Sequence, residues 1–185
     1  MMSNDLETLA RRMGGTEIQR VVYSEEELRR RVDELAREID AFYPEGQELL
    51  VLGLLKGSFI FLADLVRRIH RPLQVDFLVA SSYRGGKVST GQVRLVYQPD
   101  TVLEGRHVIL VEDVVDSGTT MEYVVPLLEA QRPASLELCA LLHKRRVSLK
   151  KAPQWVGFEA PEEFLVGYGL DHAESCRHLP FIASM

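Results

Sequence analysis

The chain has 185 residues, of which 46% are hydrophobic and 26% charged, and its formal net charge is −5. This length suits one sizeable hydrophobic core, and the negative charge argues against an extended nucleic-acid surface, because phosphate binding relies on clustered Lys and Arg. No apolar run reaches the roughly 18 to 20 residues of a membrane span, and the N-terminus lacks the apolar stretch of a signal peptide. We therefore expect a cytoplasmic protein without membrane or nucleic-acid partners.

The first half of the chain predicts helices and strands in alternation. Residues 24–43 begin with a capping box, Ser24 with Glu27, and carry apolar residues spaced for one helix face: Leu28, Val32, Leu35, Ile39 and Phe42. The segment ELLVLGLL then predicts a buried strand, KGS a tight turn with Ser58 as N-cap, and FIFLADLVRRIH a second helix. Two strands follow, LQVDFLVASSY and QVRLVYQ, on either side of a Gly-rich polar loop.

The second half of the chain continues the alternation. HVILVED predicts a strand, VVDSGTT a turn, residues 120–131 a helix that Pro126 shortens or kinks, and SLELCALL another strand. The last third indicates short strands and loops. Strands that alternate with helices predict an α/β fold around a mainly parallel sheet, in which ligands bind beyond the carboxyl ends of the strands.

The stretch VILVEDVVDSGTTM carries the most chemistry. Glu112 and Asp113 directly follow a buried strand, and two adjacent carboxylates repel each other unless sugar hydroxyls or a metal offset their charge. Asp116 opens DSGTT, whose backbone N–H groups can wrap a phosphate at a helix start. The same five residues also fit an ordinary helix N-cap, and the carboxylates before them favour the phosphate site.

Motifs of other nucleotide and metal sites do not occur in the sequence. It has no GxGxxG after a strand and no GxxxxGK[ST] loop, and its five histidines form no HExxH set. The two cysteines, Cys139 and Cys176, form no CxxC pair and are expected to be packing or surface residues.

Residues 112–120, EDVVDSGTT, resemble the phosphoribosyl pyrophosphate (PRPP) motif of the type I phosphoribosyltransferases. That motif consists of an acidic pair, two apolar residues, Asp, a hydroxyl residue, Gly, any residue and Thr. The ordered series LKGSFIFLADL, VASSYRGGKVSTG, VEDVVDSGTTM, LLHKRR and FLVGYGLD resembles the hypoxanthine-guanine phosphoribosyltransferases, from about residue 50 to Arg177. The resemblance implies the type I fold: a single domain over residues 1–185, with a core of about 45–145 flanked by helices and a small hood from the N-terminal segment and about 150–185.

The implied reaction is purine salvage: transfer of the 5-phosphoribosyl group from PRPP to hypoxanthine and/or guanine, giving IMP or GMP and pyrophosphate. The implied cofactor is Mg²⁺, and the implied assembly is a homodimer or homotetramer. Neither the preference among hypoxanthine, guanine and xanthine nor the oligomeric state follows from the sequence. A regulator on the same scaffold that senses PRPP and binds RNA is the alternative, and the acidic charge counts against it.

The resemblance also implies roles around PRPP. Glu112 and Asp113 would hold the ribose hydroxyls, with or without Mg²⁺, and Asp116 would act as general base and border the 5′-phosphate. Four residues would bind that phosphate, Thr119 through its backbone alone: Ser117, Gly118, Thr119 and Thr120. Six residues would bind pyrophosphate. Leu55, Lys56 and Gly57 lie in the turn after the first buried strand, where the family has a non-proline cis peptide at residues 55 and 56. Ser82 and Tyr83 belong to a loop that closes over the reacting atoms, and Arg177 lies in the C-terminal tail.

The purine site is implied in the same way. Lys144 would donate to the 6-oxo group, Phe164 would stack on the ring, and Leu165 would contact its edge through the backbone, while Asp171 would contact Mg²⁺. Each motif also has a plain interpretation as a strand end, turn or solvated loop, with Lys56 and Arg145 in water. Which of Arg145 and Arg146 reaches the site stays open.

Overall fold

The computed structural model describes residues 18–82, 93–98, 100–144 and 146–185. Tyr83 and most of the expected closing loop therefore lie outside the described residues, as does Arg145. In chain order the described elements are β1 (Arg20–Tyr23), α1 (Glu25–Phe42), β2 (Leu49–Leu55), α2 (Phe59–Val66), β3 (Leu73–Ser82), β4 (Val93–Tyr97), β5 (His107–Val115), α3 (Thr119–Glu129), β6 (Ser135–His143), β7 (Trp155–Glu159), β8 (Leu165–Val166) and β9 (Ile182–Ser184).

Six strands form the main sheet in the order β4-β3-β2-β5-β6-β7. All neighbours are parallel except β3 and β4, and Leu49 of β2 aligns with Leu73 on one side and His107 on the other. The mainly parallel α/β sheet predicted from the sequence is thus confirmed. Because the strands are parallel, β2, β3, β5 and β6 end at the same edge of the sheet.

Alternation of side chains along the buried strands builds two cores. Ile109 and Val111 of β5 pack with α1 and α2, whereas Val108 and Leu110 pack with α3 on the opposite face. A strand covered by helices on both faces must be apolar at every position, which explains the continuous hydrophobic runs of β2 and β5. Cys139 is buried in the first core.

The termini of the described chain meet in a separate three-stranded sheet of order β1-β9-β8. Both pairings are antiparallel, with Arg20 opposite Ser184 and Leu165 also opposite Ser184. This small sheet has its own apolar cluster around Val166 and Leu179, which includes Cys176. None of the described helices has the length and hydrophobicity needed to cross a membrane.

The helix boundaries agree with the sequence prediction at most ends. The capping box of α1 is confirmed: Ser24 N donates to Glu27 Oε2 at 2.8 Å, and Glu27 N donates to Ser24 Oγ at 3.3 Å. Phe42 has the spacing of the apolar helix face, but it is the last residue of α1 and is 47% exposed, with its ring edge-on to Trp155. Helix α3 contains Pro126 and is short, as expected.

Ser58 occupies the predicted N-cap position of α2, but its side chain does not cap the helix. Ser58 precedes α2, but its backbone is already helical and its hydroxyl makes no cap hydrogen bond. The buried Oγ instead donates to the carbonyl of Leu54, four residues back, at 2.6 Å. Ser58 therefore ties the turn after β2 to the end of that strand.

Candidate active site

The carboxylates of β5, Glu112 and Asp113, lie partly buried at the carboxyl edge of the main sheet. Glu112 Oε2 is buried and has no hydrogen-bond partner among the described residues. Burial, and then the neighbouring charge of Asp113, raises the pKa of Glu112 well above its usual value. Burial also raises the pKa of Asp113 to about 6, although the N–H of Val114 donates to its Oδ1 at 2.8 Å. Negative charge at this point is costly until a cation or hydroxyl donors reach it.

The turn after β2 touches these carboxylates directly. A Cβ at Gly57 would lie 1.5 Å from Asp113 Oδ2, so only glycine permits the approach. The peptide bond between Leu55 and Lys56 is cis, as the resemblance implies. Backbone of the C-terminal segment covers the same turn, since a Cβ at Gly169 would lie 2.0 Å from the carbonyl oxygen of Gly57.

Residues 117–120 form the start of α3 beside Asp116. Gly118 occupies the N-cap position with φ of +78°, a left-handed conformation that favours glycine. No side chain caps the helix, and the hydroxyls of Ser117 and Thr119 contact each other at 3.0 Å. The first backbone N–H groups of a helix have no carbonyl partner within it, so this end of α3 offers donors to an anion.

Asp116 is paired with the strand-end lysine. Lys144 Nζ lies 2.6 Å from Asp116 Oδ1, and the Lys144 side chain is only 12% exposed, so it does not lie on a solvated face. Arg146 Nη2 approaches the same oxygen at 3.7 Å, and its Nη1 pairs with Glu162. Arg146 therefore reaches the site, whereas Arg145 lies outside the described residues.

Arg177 joins the tail to the same edge. Its Nη1 donates to the carbonyl of Gly169 at 2.8 Å, and its Nη2 lies 2.8 Å from Asp171 Oδ1. Its Nε is buried without a partner among the described residues. Glu174 Oε2 lies 3.4 Å from Arg177 Nη2 and 3.1 Å from Lys56 Nζ, so the turn after β2 and the tail share one carboxylate.

A cavity of about 650 Å³ opens between these groups. Six of the predicted site residues line it: Asp113, Asp116, Lys144, Phe164, Leu165 and Asp171. The Phe164 ring is 55% exposed and stands edge-on to His172 at 5.8 Å, and the N–H of Met185 donates to the Phe164 carbonyl at 3.0 Å. Ser82 ends β3, and its side chain is outside the described part.

Sequence reasoning missed six residues that line this cavity: Val114, Glu163, Leu170, His172, Ala173 and Glu174. Val114 could have been found, because it lies in the sequence between the paired carboxylates and Asp116. The other five are close neighbours of Phe164 or Asp171 in the chain, and no periodic pattern indicates which way their side chains point.

A parallel sheet with carboxylates and an uncapped helix start at its carboxyl edge fits the class of the phosphoribosyltransferases. A family model described as phosphoribosyl transferase domain matches residues 21–173, most of the chain.

Hypoxanthine phosphoribosyltransferase of Haemophilus influenzae is 43% identical over 168 residues, which cover 89% of this chain and 94% of that protein. The bifunctional protein TilS/HprT of Listeria innocua is 44% identical over 180 residues, and the match spans 93% of this chain but 27% of that longer protein. A crystal structure of a hypoxanthine-guanine phosphoribosyltransferase from Bacillus anthracis superposes with a TM-score of 0.85 at 44% identity, covering 91% of this chain and 99% of that one. The chain belongs to the hypoxanthine(-guanine) phosphoribosyltransferase family.

Proposed function

We propose that this enzyme transfers the 5-phosphoribosyl group of PRPP to a 6-oxopurine, hypoxanthine and/or guanine, giving IMP or GMP and pyrophosphate. The observation that carries the proposal is the pair of Lys144 and Asp116, 2.6 Å apart in a cavity that Phe164 lines. An ammonium only donates and a carboxylate only accepts, so the pair is complementary to a 6-oxo oxygen next to a protonated imidazole nitrogen. An exposed aromatic ring in the same cavity supports stacking of a flat base.

Asp116 is the proposed proton acceptor. One imidazole nitrogen of the purine bonds to the anomeric carbon of the ribose as the bond from that carbon to pyrophosphate breaks. The other imidazole nitrogen then loses its proton to Asp116, which preserves the neutral purine ring of the product. Lys144 holds the carbonyl that fixes the base in register for this transfer.

Glu112 and Asp113 are the proposed partners of the ribose hydroxyls and of Mg²⁺. The buried, unpartnered Oε2 of Glu112 and the raised pKa of Asp113 support this role, because hydroxyl donors or a cation would satisfy both. Within the described residues, no group of three or more His, Cys, Asp or Glu side chains is arranged to hold a metal. Mg²⁺ often uses one or two carboxylates together with substrate phosphates, so the residues present, including Asp171, fit an ion that arrives with PRPP. When bound, Mg²⁺ would neutralise charge that develops on the departing pyrophosphate.

The two phosphate sites of PRPP are assigned to separate turns. Residues 117–120 at the start of α3 are proposed to hold the 5′-phosphate, with Asp116 at their border, because backbone N–H groups point out of the helix there. Leu55, Lys56 and Gly57, with Arg177, are proposed to hold the pyrophosphate. Ser82 and Tyr83 complete this proposal as part of a loop that closes over the reacting atoms, since a ribosyl-cation-like transition state must be kept from water.

We also propose the surroundings of the reaction. The small sheet of β1, β8 and β9 would form the hood over the core of about residues 45–145, because β8 directly follows Phe164.

A cytoplasmic homodimer or homotetramer is proposed, with no membrane or nucleic-acid partner. Exposed apolar side chains near the β3–β4 edge support self-association: Val75, Phe77, Val96, Tyr97 and Val102. Light scattering on the purified protein tests this, and a monomer at micromolar concentration would reject it.

A turnover panel tests the activity. Hypoxanthine, guanine, xanthine and adenine are each incubated with PRPP and Mg²⁺, and the nucleotide product is quantified. We expect turnover with hypoxanthine, guanine or both, and none above background without Mg²⁺ or with adenine. Failure of both hypoxanthine and guanine would overturn the proposed function, and xanthine turnover alone would reassign the substrate.

A further inference from the structure

Glu174 occupies the place where an anionic substrate group would be held. Its Oε2 lies 3.1 Å from Lys56 Nζ and 3.4 Å from Arg177 Nη2, so one carboxylate oxygen bridges two cations from distant parts of the chain. Glu174 also lines the cavity next to Asp171.

The backbone presents this side chain to the two cations. Ala173 and Glu174 both have left-handed φ values, +49° and +65°, and the N–H of Glu174 donates to Asp171 Oδ2 at 2.8 Å. His172 and Ser175 close the turn with hydrogen bonds in both directions. The turn is therefore held from within, while the Glu174 side chain is 67% exposed and free to rotate into solvent.

Pyrophosphate and Glu174 compete for the same donors under the proposed function, on which this inference rests. Both Lys56 and Arg177 were assigned to pyrophosphate, and neither can bond fully to a diphosphate while the carboxylate bridges them. A carboxylate left beside the diphosphate would also repel it.

We propose that Glu174 is a placeholder carboxylate: it bridges Lys56 and Arg177 in the empty site, is displaced when the diphosphate of PRPP binds, and returns as pyrophosphate leaves. Glu174 thereby lowers the affinity of the site for PRPP and for pyrophosphate alike. It also holds the exposed Lys56 side chain in position between turnovers, whereas Arg177 is held in addition by Asp171 and the carbonyl of Gly169. Purine binding is not part of this exchange.

Glu174→Gln tests the proposal, because it removes the charge and keeps the size. Each exposed ion pair lost is worth a modest amount, so the dissociation constant of pyrophosphate with Mg²⁺, measured by titration calorimetry, should fall by about 3- to 10-fold. The KM for PRPP should fall by a similar factor, and the gain should shrink at high salt as the bridge is screened. The KM for the purine should stay unchanged, which separates an effect on the diphosphate from a general structural change.

Glu163→Gln is the matched control. Glu163 lines the same cavity and pairs with Arg20 at 2.8 Å, so the variant changes the local charge equally without touching Lys56 or Arg177. We expect its pyrophosphate affinity to change by less than about twofold. Unchanged or weaker pyrophosphate binding by Glu174→Gln, or an equal gain in Glu163→Gln, would overturn the inference alone. A wild-type enzyme that binds neither PRPP nor pyrophosphate would overturn the proposed function and the inference with it.

Discussion

Two clusters of charged side chains show what separates scaffold from site in this molecule. At the amino end of β3, Arg71 is 8% exposed and all its bonds are made: it pairs with Asp40 and donates to the carbonyls of Pro44 and Tyr43. At the carboxyl end of β5, Glu112 Oε2 is buried with no partner among the described residues. A buried charge with every bond made stabilises the fold, whereas one left unpaired costs stability and is kept for a ligand.

The largest effect is expected at Lys144, which lines the candidate active site. Its ammonium has no acceptor to offer the exocyclic amino group of adenine, so wild-type kcat/KM should favour hypoxanthine over adenine by about 10⁴- to 10⁵-fold. Lys144→Gln supplies a donor or an acceptor, so hypoxanthine turnover should fall and the ratio between the two bases should narrow. Comparable use of adenine by the wild type, or an unaltered ratio in the variant, would remove Lys144 from base selection.

The next largest effect is expected at Asp116, whose Oδ1 is paired with Lys144 Nζ. Asp116→Asn keeps the shape but cannot take a proton, so kcat should fall by about 10²- to 10⁴-fold while PRPP affinity changes little. Steady-state kinetics and PRPP titration on the same preparation check this. Near-normal kcat would show that another group accepts the proton.

A smaller effect is expected in the fully hydrogen-bonded cluster around Arg71. Arg71→Leu removes the donor of the Asp40 carboxylate and of four backbone carbonyls, those of Asp40, Tyr43, Pro44 and Gln47. The free energy of unfolding in urea should therefore fall by about 2 to 4 kcal/mol. Arg67→Leu is the control, because that side chain is 70% exposed and its loss should cost less than about 0.5 kcal/mol. Purine and PRPP kinetics of the folded Arg71 variant should match those of the wild type; altered KM values would blur the distinction between the clusters.

The smallest predicted change in stability is a gain, and it concerns the paired carboxylates Glu112 and Asp113. The pKa of Asp113 is raised from 3.8 to about 6, so the folded chain holds a proton that the unfolded chain has already released. Stability of the ligand-free enzyme should therefore decline as pH rises from about 4 to about 6, with the whole cost present above that range. Replacing Glu112 and Asp113 with amides should stabilise the ligand-free enzyme by about 1 to 3 kcal/mol at pH 7 and weaken Mg²⁺-PRPP binding more than purine binding.

Thermal melts across pH 4 to 8, with Glu45→Gln as an exposed-carboxylate control, measure this difference. The difference in stability between the double amide and the wild type should appear as pH rises from about 4 to about 6, where Asp113 ionises, and should grow further at higher pH, because the pKa of Glu112 is raised well above its usual value. A destabilised double amide with intact PRPP affinity would place these carboxylates with the scaffold.

Local patterns were enough for most of the fold. The spacing of apolar residues and the capping box located α1, and the apolar runs located β2 and β5, because these signals depend on neighbours in the chain. Burial of Phe42 and the cap role of Ser58 were not predictable in the same way. A helix end can turn a ring outward, and a hydroxyl chooses between two backbone partners according to the backbone angles that packing imposes.

The residue types of the candidate site were determined by the sequence alone: carboxylates after a buried strand, a Gly-hydroxyl turn, and a lysine at the end of β6. Parallel strands bring such ends to one edge whatever the details of packing. Only the tertiary structure decided that Lys144 contacts Asp116 and that Glu174 bridges Lys56 and Arg177, which are separated by 118 and 3 residues from it in the chain. The contact of Lys144 with Asp116 depends on the pairing of β5 with β6, and the bridge by Glu174 depends on how the C-terminal segment packs against the main sheet. Such long-range packing leaves no periodic pattern in the residues that it brings together.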